Sequence, residues 1–551
     1  MLGLMQDWPL TVDRVIDHAA LAHRHGEVVT RTIEGPIVRT TYAQMRGRAK
    51  RLTNALQALG LRSGDRLGTL AWNTANHIEA WYGVMGMGAV CHTLNPRLLP
   101  SQLAWMADHA GDRILLADAC FAPLLPQILA GAPRVEHVVW LTGEAHRPEF
   151  AAPAGHPLKG VHCLETLLEQ AGEDAAWGGF DERTAAGLCY TSGTTGDPKG
   201  VLYSHRSNVL HSLMCMQTDV MGISSRETIL AVVPMFHANG WGLPFTGPAI
   251  GAKLVMPGPR LDGAALHELI ETEGVTYSAA VPTVWGGLLA YLRESGKRID
   301  SLKRVLIGGA AASRSLVEAF RDEYGVEVVC AWGMTETSPL GTVSQPTIRT
   351  LALDPETRMD IQMKQGRAPF GIDLKLVDDA GQTLPNDGRT FGRLMVRGPT
   401  VASAYYRSDE PILDQEGYFD TGDVSTIDDD GFMQITDRAK DVIKSGGEWI
   451  SSIEIENHAL AHPTCAAAAV VGVAHPKWNE RPLLVVKLKP DAAAAKQDFL
   501  DLLAGKIAKW WMPDDVVFVD DIPLNATGKT DKKTLRGKLA DYVPPWERPQ
   551  P

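Results

Sequence analysis

Cysteine is scarce and scattered. The seven residues are Cys91, Cys120, Cys163, Cys189, Cys215, Cys330 and Cys465, with no CxxC pair and no His/Cys spacing of a zinc site. An odd, dispersed set of thiols excludes a disulfide framework and implies a reduced, cytoplasmic setting. Long apolar runs are also missing. AAAAVVGVA at 466–474 is among the longest, at about half the length that spans a bilayer, so no transmembrane segment is expected. The opening MLGLMQDWPLTVDR lacks the basic region and apolar core of a signal peptide, and the closing PPWERPQP carries no lipidation signal. Positive charge is in deficit: 53 Lys and Arg stand against 65 Asp and Glu, for a net −12, and no long basic run occurs. That balance argues against nucleic acid as a partner, so a polyanionic ligand should be small and held locally.

What is present is globular. The chain is 45% hydrophobic and 21% charged over 551 residues, room for roughly three or four folding units. From Thr41 to about Gly143, helical stretches such as TYAQMRGRAKRLTNALQALG (41–60) and HIEAWYGVMGMGAV (77–90) alternate with apolar runs such as RLGTLAW (66–72), RILLAD (113–118) and HVVWLTG (137–143). The pattern recurs at TILAVVP (228–234), KLVMPG (253–258), YSAAVP (277–282) and RVLIGG (304–309). Such alternation predicts an α/β fold with doubly wound, mostly parallel sheets. Beyond about residue 365 short strands with turn residues between them predict an antiparallel or distorted β-barrel subdomain. Past Lys440 the chain returns to strand–helix–strand. A boundary near 437–440 divides it into a large part, 1–437, and a small α+β part, 438–551.

The sharpest local signal is YTSGTTGDPKG at 190–200. Glycines bring backbone N–H groups close to a ligand, hydroxyls donate to phosphate oxygens and Lys199 adds charge, so the loop suits phosphates. It is not the Walker-type loop, because the order of Gly, Lys and Ser/Thr is wrong. A flexible surface turn is the plain alternative. Six further segments stand in series: PMFHANGWG (234–242), IGGAAAS (307–313), AWGMTETS (331–338), GYFDTGD (417–423), TDRAKDVIKSGGEWIS (436–451) and PLNATGKTDKKTLR (523–536).

With the glycine loop, these segments resemble the motifs of the acyl-adenylate-forming superfamily in the family's own order, and the chain is most similar to the acyl-CoA synthetase branch. The resemblance implies two domains, the smaller one mobile about a hinge at Lys440. It implies that Thr191, Ser192, Gly193, Thr194, Thr195, Gly196 and Lys199 wrap ATP phosphates, with Gly309, Ala310, Ala311, Trp332 and Gly333 around the nucleotide. Trp332 would pack on adenine; a core tryptophan is the alternative. Thr335 would contact the α-phosphate and Glu336 hold Mg²⁺, while Asp423, assisted by Arg438, would accept the ribose hydroxyls. Lys529 would reach the reacting carboxylate and α-phosphate, as a positioned cation must where charge builds. Lys444, Gly446 and Gly447 would serve CoA after rotation. His237, Trp241, Gly308 and Gly309 would border the acyl group, with Trp241 gating its tunnel.

The implied reaction joins a small carboxylic acid to CoA at the expense of ATP, through an acyl-adenylate, with Mg²⁺ as cofactor. The whole chain resembles the 3-methylmercaptopropionate-CoA ligases of bacterial dimethylsulfoniopropionate breakdown, and also medium- and long-chain fatty-acyl-CoA ligases. The motifs do not separate these. A luciferase-like or non-catalytic nucleotide-binding protein is the alternative from another class. A homodimer is compatible with the sequence, which does not fix the oligomeric state.

Overall fold

The computed structural model describes residues 1, 3–191, 198–439, 441–445, 448–524 and 530–547. Its first long helix, Tyr42–Ala58, starts at Thr41. The Thr41 hydroxyl accepts from the Gln44 backbone N–H at 3.3 Å while the Gln44 side-chain oxygen accepts from the Thr41 N–H at 2.9 Å, satisfying two otherwise orphaned donors. This helix packs against Ala75–Gly86, where a Cβ at Gly83 would stand 2.8 Å from the Ala49 carbonyl. The Thr53 hydroxyl donates to the Gly83 carbonyl at 2.7 Å. Ala75–Gly86 is buried on every face, because residues of two different sheets close over it in one core.

Those two sheets are the expected doubly wound pair. The first has seven strands among the described residues, ordered Gly160–Cys163, His137–Trp140, Asp112–Ala117, Arg66–Leu70, Val90–Thr93, Ala185–Tyr190 and Gly200–Ser204. All neighbours are parallel except the last pair. The second has eight, with Glu327–Gly333, Arg304–Ile307, Tyr277–Ala280, Thr228–Leu230, Lys253–Met256 and Glu27–Arg31 parallel in series and an antiparallel strand at each edge. Parallel strands joined through helices point the same way, so their carboxyl ends share one rim, where open α/β sheets take ligands.

The expected barrel is instead an open antiparallel sheet of four strands, Asp373–Val377, Gly392–Arg397, Phe419–Ile427 and Met433–Arg438; no closed barrel occurs among the described residues. Its outer strands do not pair with each other. The Met433 N–H donates to the Gly366 carbonyl at 2.8 Å, and Arg367 and Val343 exchange backbone hydrogen bonds at 3.0 Å. The edge is thus occupied by a link to the eight-stranded sheet, so closure is blocked.

The chain then enters an α+β unit with five strands among the described residues, Asn479–Leu488 at its centre and helices Ser452–Leu460 and Lys496–Leu503 against it. A buried ion cluster joins this unit to the antiparallel sheet. The Lys532 ammonium lies 2.9 Å from a Glu456 oxygen and 3.9 Å from an Asp437 oxygen, and hydrogen-bonds Ser452. The Ser451 hydroxyl donates to the Thr436 carbonyl at 3.0 Å and the Ser452 N–H to Asp437 at 3.3 Å. Burial pushes the Glu456 and Asp437 carboxyls up, with Lys532 pulling against it. Burial would lower Lys532, but the two carboxylates raise it above the usual lysine value. No helix among the described residues is long and apolar enough to cross a membrane.

Replacing Lys532 with Met leaves two buried carboxylates without their cation, a loss of about 3–5 kcal/mol. Scanning calorimetry should show the C-terminal unit melting several degrees earlier; an unchanged transition would rule out a stabilising role for the cluster.

Candidate functional site

A cavity of about 1330 Å³ opens on the rim formed by the parallel strand ends. Ala185–Tyr190 and Gly200–Ser204 form a hairpin whose tip is the glycine-rich loop. Its base is closed by the Thr191 N–H donating to the Lys199 carbonyl at 2.9 Å and the Lys199 N–H donating to the Thr191 hydroxyl at 3.3 Å. Thr191 and Lys199 line the cavity. Ser192, Gly193, Thr194, Thr195 and Gly196 lie outside the described residues, as do Lys440, Gly446, Gly447 and Lys529.

The strand Glu327–Gly333 delivers the next group. Trp332 has its indole N–H 3.0 Å from one oxygen of Asp423, and Arg438 Nε stands 3.0 Å from the other. Asp423 is 2% exposed and sits behind the cavity wall, whereas Trp332 and Arg438 line it. Trp332 both lines the cavity and packs into the core of the antiparallel sheet. Gly333 can only be glycine, since a Cβ there would fall 1.9 Å from the Pro339 carbonyl oxygen.

Thr335 and Glu336 follow in a tight turn held from three sides. The Tyr203 hydroxyl donates to the Thr335 carbonyl at 2.8 Å, the Ala402 N–H to the Glu336 carbonyl at 2.8 Å, and the Tyr405 hydroxyl to the Glu336 carboxylate at 2.7 Å. Burial raises the Glu336 carboxyl, and the Tyr405 hydrogen bond with the Arg438 and Lys199 cations works to lower it. The Lys199 ammonium stands 4.8 Å from the Tyr405 ring centroid, so cation, phenol and carboxylate form one chain. Among the described residues no cluster of three His, Cys, Asp or Glu could cage a metal. A single buried carboxylate lining the cavity with Lys199 fits Mg²⁺, which is usually held by one or two carboxylates plus substrate phosphates; Glu336 would hold it and the ion would neutralise phosphate charge.

The other end of the cavity is apolar, lined by Met221, Val232, Ala280 and Leu306 beside His237 and Trp241. After His237 five consecutive residues are left-handed: Ala238 (φ 43°), Asn239 (55°), Gly240 (56°), Trp241 (52°) and Gly242 (73°). Three of them carry a Cβ, at a cost of about 1–2 kcal/mol each. The turn lays the Trp241 indole across the loop after Arg304–Ile307. A Cβ on Gly308 would meet the ring at 3.0 Å.

The rim thus brings together Thr191, Lys199, His237, Trp241, Gly308, Gly309, Trp332, Gly333, Thr335, Glu336 and Arg438. Ala310 and Ala311 continue the Gly309 loop without lining the cavity. Lys444 is elsewhere: its ammonium lies 3.8 Å from Asp379 and its N–H donates to Glu480 at 3.0 Å. Sequence reasoning missed Tyr405, for which the only signal was the tyrosine pair in ASAYY. It also missed Lys532, which lines the cavity from the last helix, and Arg97, whose guanidinium lies 5.8 and 5.7 Å from the Trp72 and Phe236 ring centroids.

Comparison with known proteins matches this geometry. The AMP-binding enzyme family profile covers residues 16–406, and that of the AMP-binding enzyme C-terminal domain covers 454–529. A 3-methylmercaptopropionyl-CoA ligase from Ruegeria lacuscaerulensis is 49% identical over 98% of this chain and 100% of its own. A medium-chain-fatty-acid–CoA ligase from Ectopseudomonas oleovorans is 46% identical over 98% of each. The solved anthranilate-CoA ligase in complex with anthranoyl-AMP has the same fold, with a TM-score of 0.84 at 24% identity, covering 98% of this chain and 100% of that one. ATP and CoA are the substrates of AMP-forming CoA ligases, and Mg²⁺ is usual for them. The chain belongs to the AMP-binding enzyme family and is, within it, an acyl-CoA synthetase.

Proposed function

We propose that the acid is short to medium in length, of the class of 3-methylthiopropionate and the C4–C6 fatty acids. The observation that carries this reading is the apolar end of the cavity closing on Trp241, whose indole lies against Gly308. A thioether of five chain atoms has nearly the length and polarity of pentanoate, and an apolar wall separates one methylene from none by only about 1–3 kcal/mol. AMP release measured from acetate to palmitate, with 3-methylthiopropionate included, tests it. A maximum at C4–C6 and the sulfur acid is expected; a maximum at palmitate would transfer the protein to the long-chain class.

In this reading the acid's carboxylate oxygen attacks the α-phosphorus of ATP and pyrophosphate leaves. The CoA thiol then attacks the acyl carbonyl and AMP leaves. The Thr191–Lys199 loop grips the phosphates, Trp332 packs on adenine, Asp423 and Arg438 serve the ribose, Thr335 the α-phosphate, and Lys529 stabilises the charge that builds during attack. A C-terminal domain beginning at 438 then turns about Lys440 and brings the face of Lys444, Gly446 and Gly447 to the thioester step. The position of Lys444 beside Asp379, away from the cavity, supports a separate conformation for that step. The reading includes a cytoplasmic enzyme, supported by seven free cysteines; a homodimer remains an expectation that light scattering decides.

Lys529→Ala should abolish adenylation while sparing thioester formation from supplied acyl-adenylate, and Lys444→Ala should do the reverse. Equal loss of both half-reactions in either variant would refute the two-conformation scheme. Trp241→Ala opens the apolar end, so kcat/KM for octanoate should rise against that for 3-methylthiopropionate by roughly fourfold per additional buried methylene. Tyr405→Phe removes a donor to the ionised Glu336. Burial already raises that carboxyl, and losing the donor raises it further, so the acid limb of kcat/KM for ATP should move to higher pH; an unmoved limb would detach Glu336 from ATP use.

A further inference from the structure

The strained turn at 238–242 has its support outside the cavity, on the helix His205–Met216. The Asn239 amide donates to Asn208 Oδ1 at 2.9 Å, with both residues buried. One helical turn further on, the His211 imidazole lies against Gly242, where a Cβ would fall 2.5 Å from Nδ1. Asn208 and His211 are three residues apart and therefore share a helix face. Burial pushes His211 down to about 4, so it packs as a neutral ring. The Asn208 amide nitrogen has no partner among the described residues, which leaves the hydrogen bond from Asn239 as the polar tie between helix and turn. On the far side of the same turn stands Trp241, its indole against Gly308. Asn208 itself does not line the cavity.

We infer that Asn208 is a positioning residue for chain-length selection: through Asn239 it holds the left-handed turn that lays Trp241 across Gly308. Residues held in sparsely populated backbone regions persist only where their surroundings over-determine them. Releasing this tie lets the turn relax toward ordinary backbone, and the indole swings off the glycine. The inference rests on the proposal that Trp241 closes the acyl end.

The test is a double-mutant cycle read as a ratio, kcat/KM for octanoate over kcat/KM for 3-methylthiopropionate. Asn208→Ala should raise that ratio roughly threefold, the order one hydrogen bond can transmit. Asn239→Gly cuts the same tie from the other side, at a φ that glycine adopts without cost, and should raise it likewise even if Asn208→Ala folds poorly. The double variant Asn208→Ala/Trp241→Ala should show the ratio of Trp241→Ala alone, because no indole is left to aim. If both kcat/KM values fall together in Asn208→Ala and Asn239→Gly, with the ratio unmoved while Trp241→Ala shifts it, Asn208 is structural only and the inference fails. A parent-like ratio in Trp241→Ala would overturn the acyl-end assignment and this inference with it.

Discussion

The helix Ala75–Gly86 is buried along nearly its whole length, its polar His77 and Glu79 paired with Thr69 and Arg48, and the architecture follows from the need to cover it. Two sheets close over it and share one core. Because most of their strands are parallel, each return passes through a helix or loop, and the strand ends collect along one rim. The glycine hairpin, the turn before Trp241, the Gly308–Gly309 loop and the Thr335–Glu336 turn are all segments that follow such strand ends. Their closeness in space reflects the winding of the sheets, since they are scattered over more than a hundred residues of sequence.

A chain of net charge −12 has concentrated cations where they are of use. Lys199, Arg438, Lys532 and Arg97 line one cavity. Each is restrained differently: Lys199 against the Tyr405 ring, Arg438 by Asp423, Lys532 by Glu456 and Asp437, Arg97 near two aromatic rings. Fixed cations in a partly enclosed site cost little reorganisation when a polyphosphate arrives. The acidic remainder of the surface keeps that attraction local.

Much of this was legible in the sequence, for a physical reason. Strands and helices of a parallel fold announce themselves by apolar period, and the glycines at 308 and 333 mark places where a ring or a backbone comes close, while Gly309 takes a left-handed φ of 78°. The strands at 66, 113, 137, 228, 253, 277 and 304 therefore begin within a residue of where periodicity put them, although most end earlier than expected, the one at Thr228 already at Leu230. The four-stranded sheet was misread as barrel-like, because whether an edge strand closes on its own sheet depends on a competitor, here residues 365–367. Tyr405 was invisible for a similar reason: its partner Glu336 is 69 residues away, and nothing near a tyrosine on a polar loop distinguishes a brace from a surface ring. Lys532 sat in a run of lysines that ordinarily reads as solvated charge. Asp423 was singled out through its motif with Arg438 beside it, but that it would sit behind the wall with Trp332 on its other oxygen could not be foreseen.

Trp241 is carried on a left-handed turn, outside the hydrogen-bonded ladder of either sheet, while Trp332, Glu336 and Arg438 are braced by strands, tyrosines and buried charge. On the proposal that Trp241 closes the acyl end, the length of acid accepted can change with few steps and little risk to folding. A lineage that meets a new carboxylic acid can retune one side chain and its backing and keep the phosphate chemistry intact.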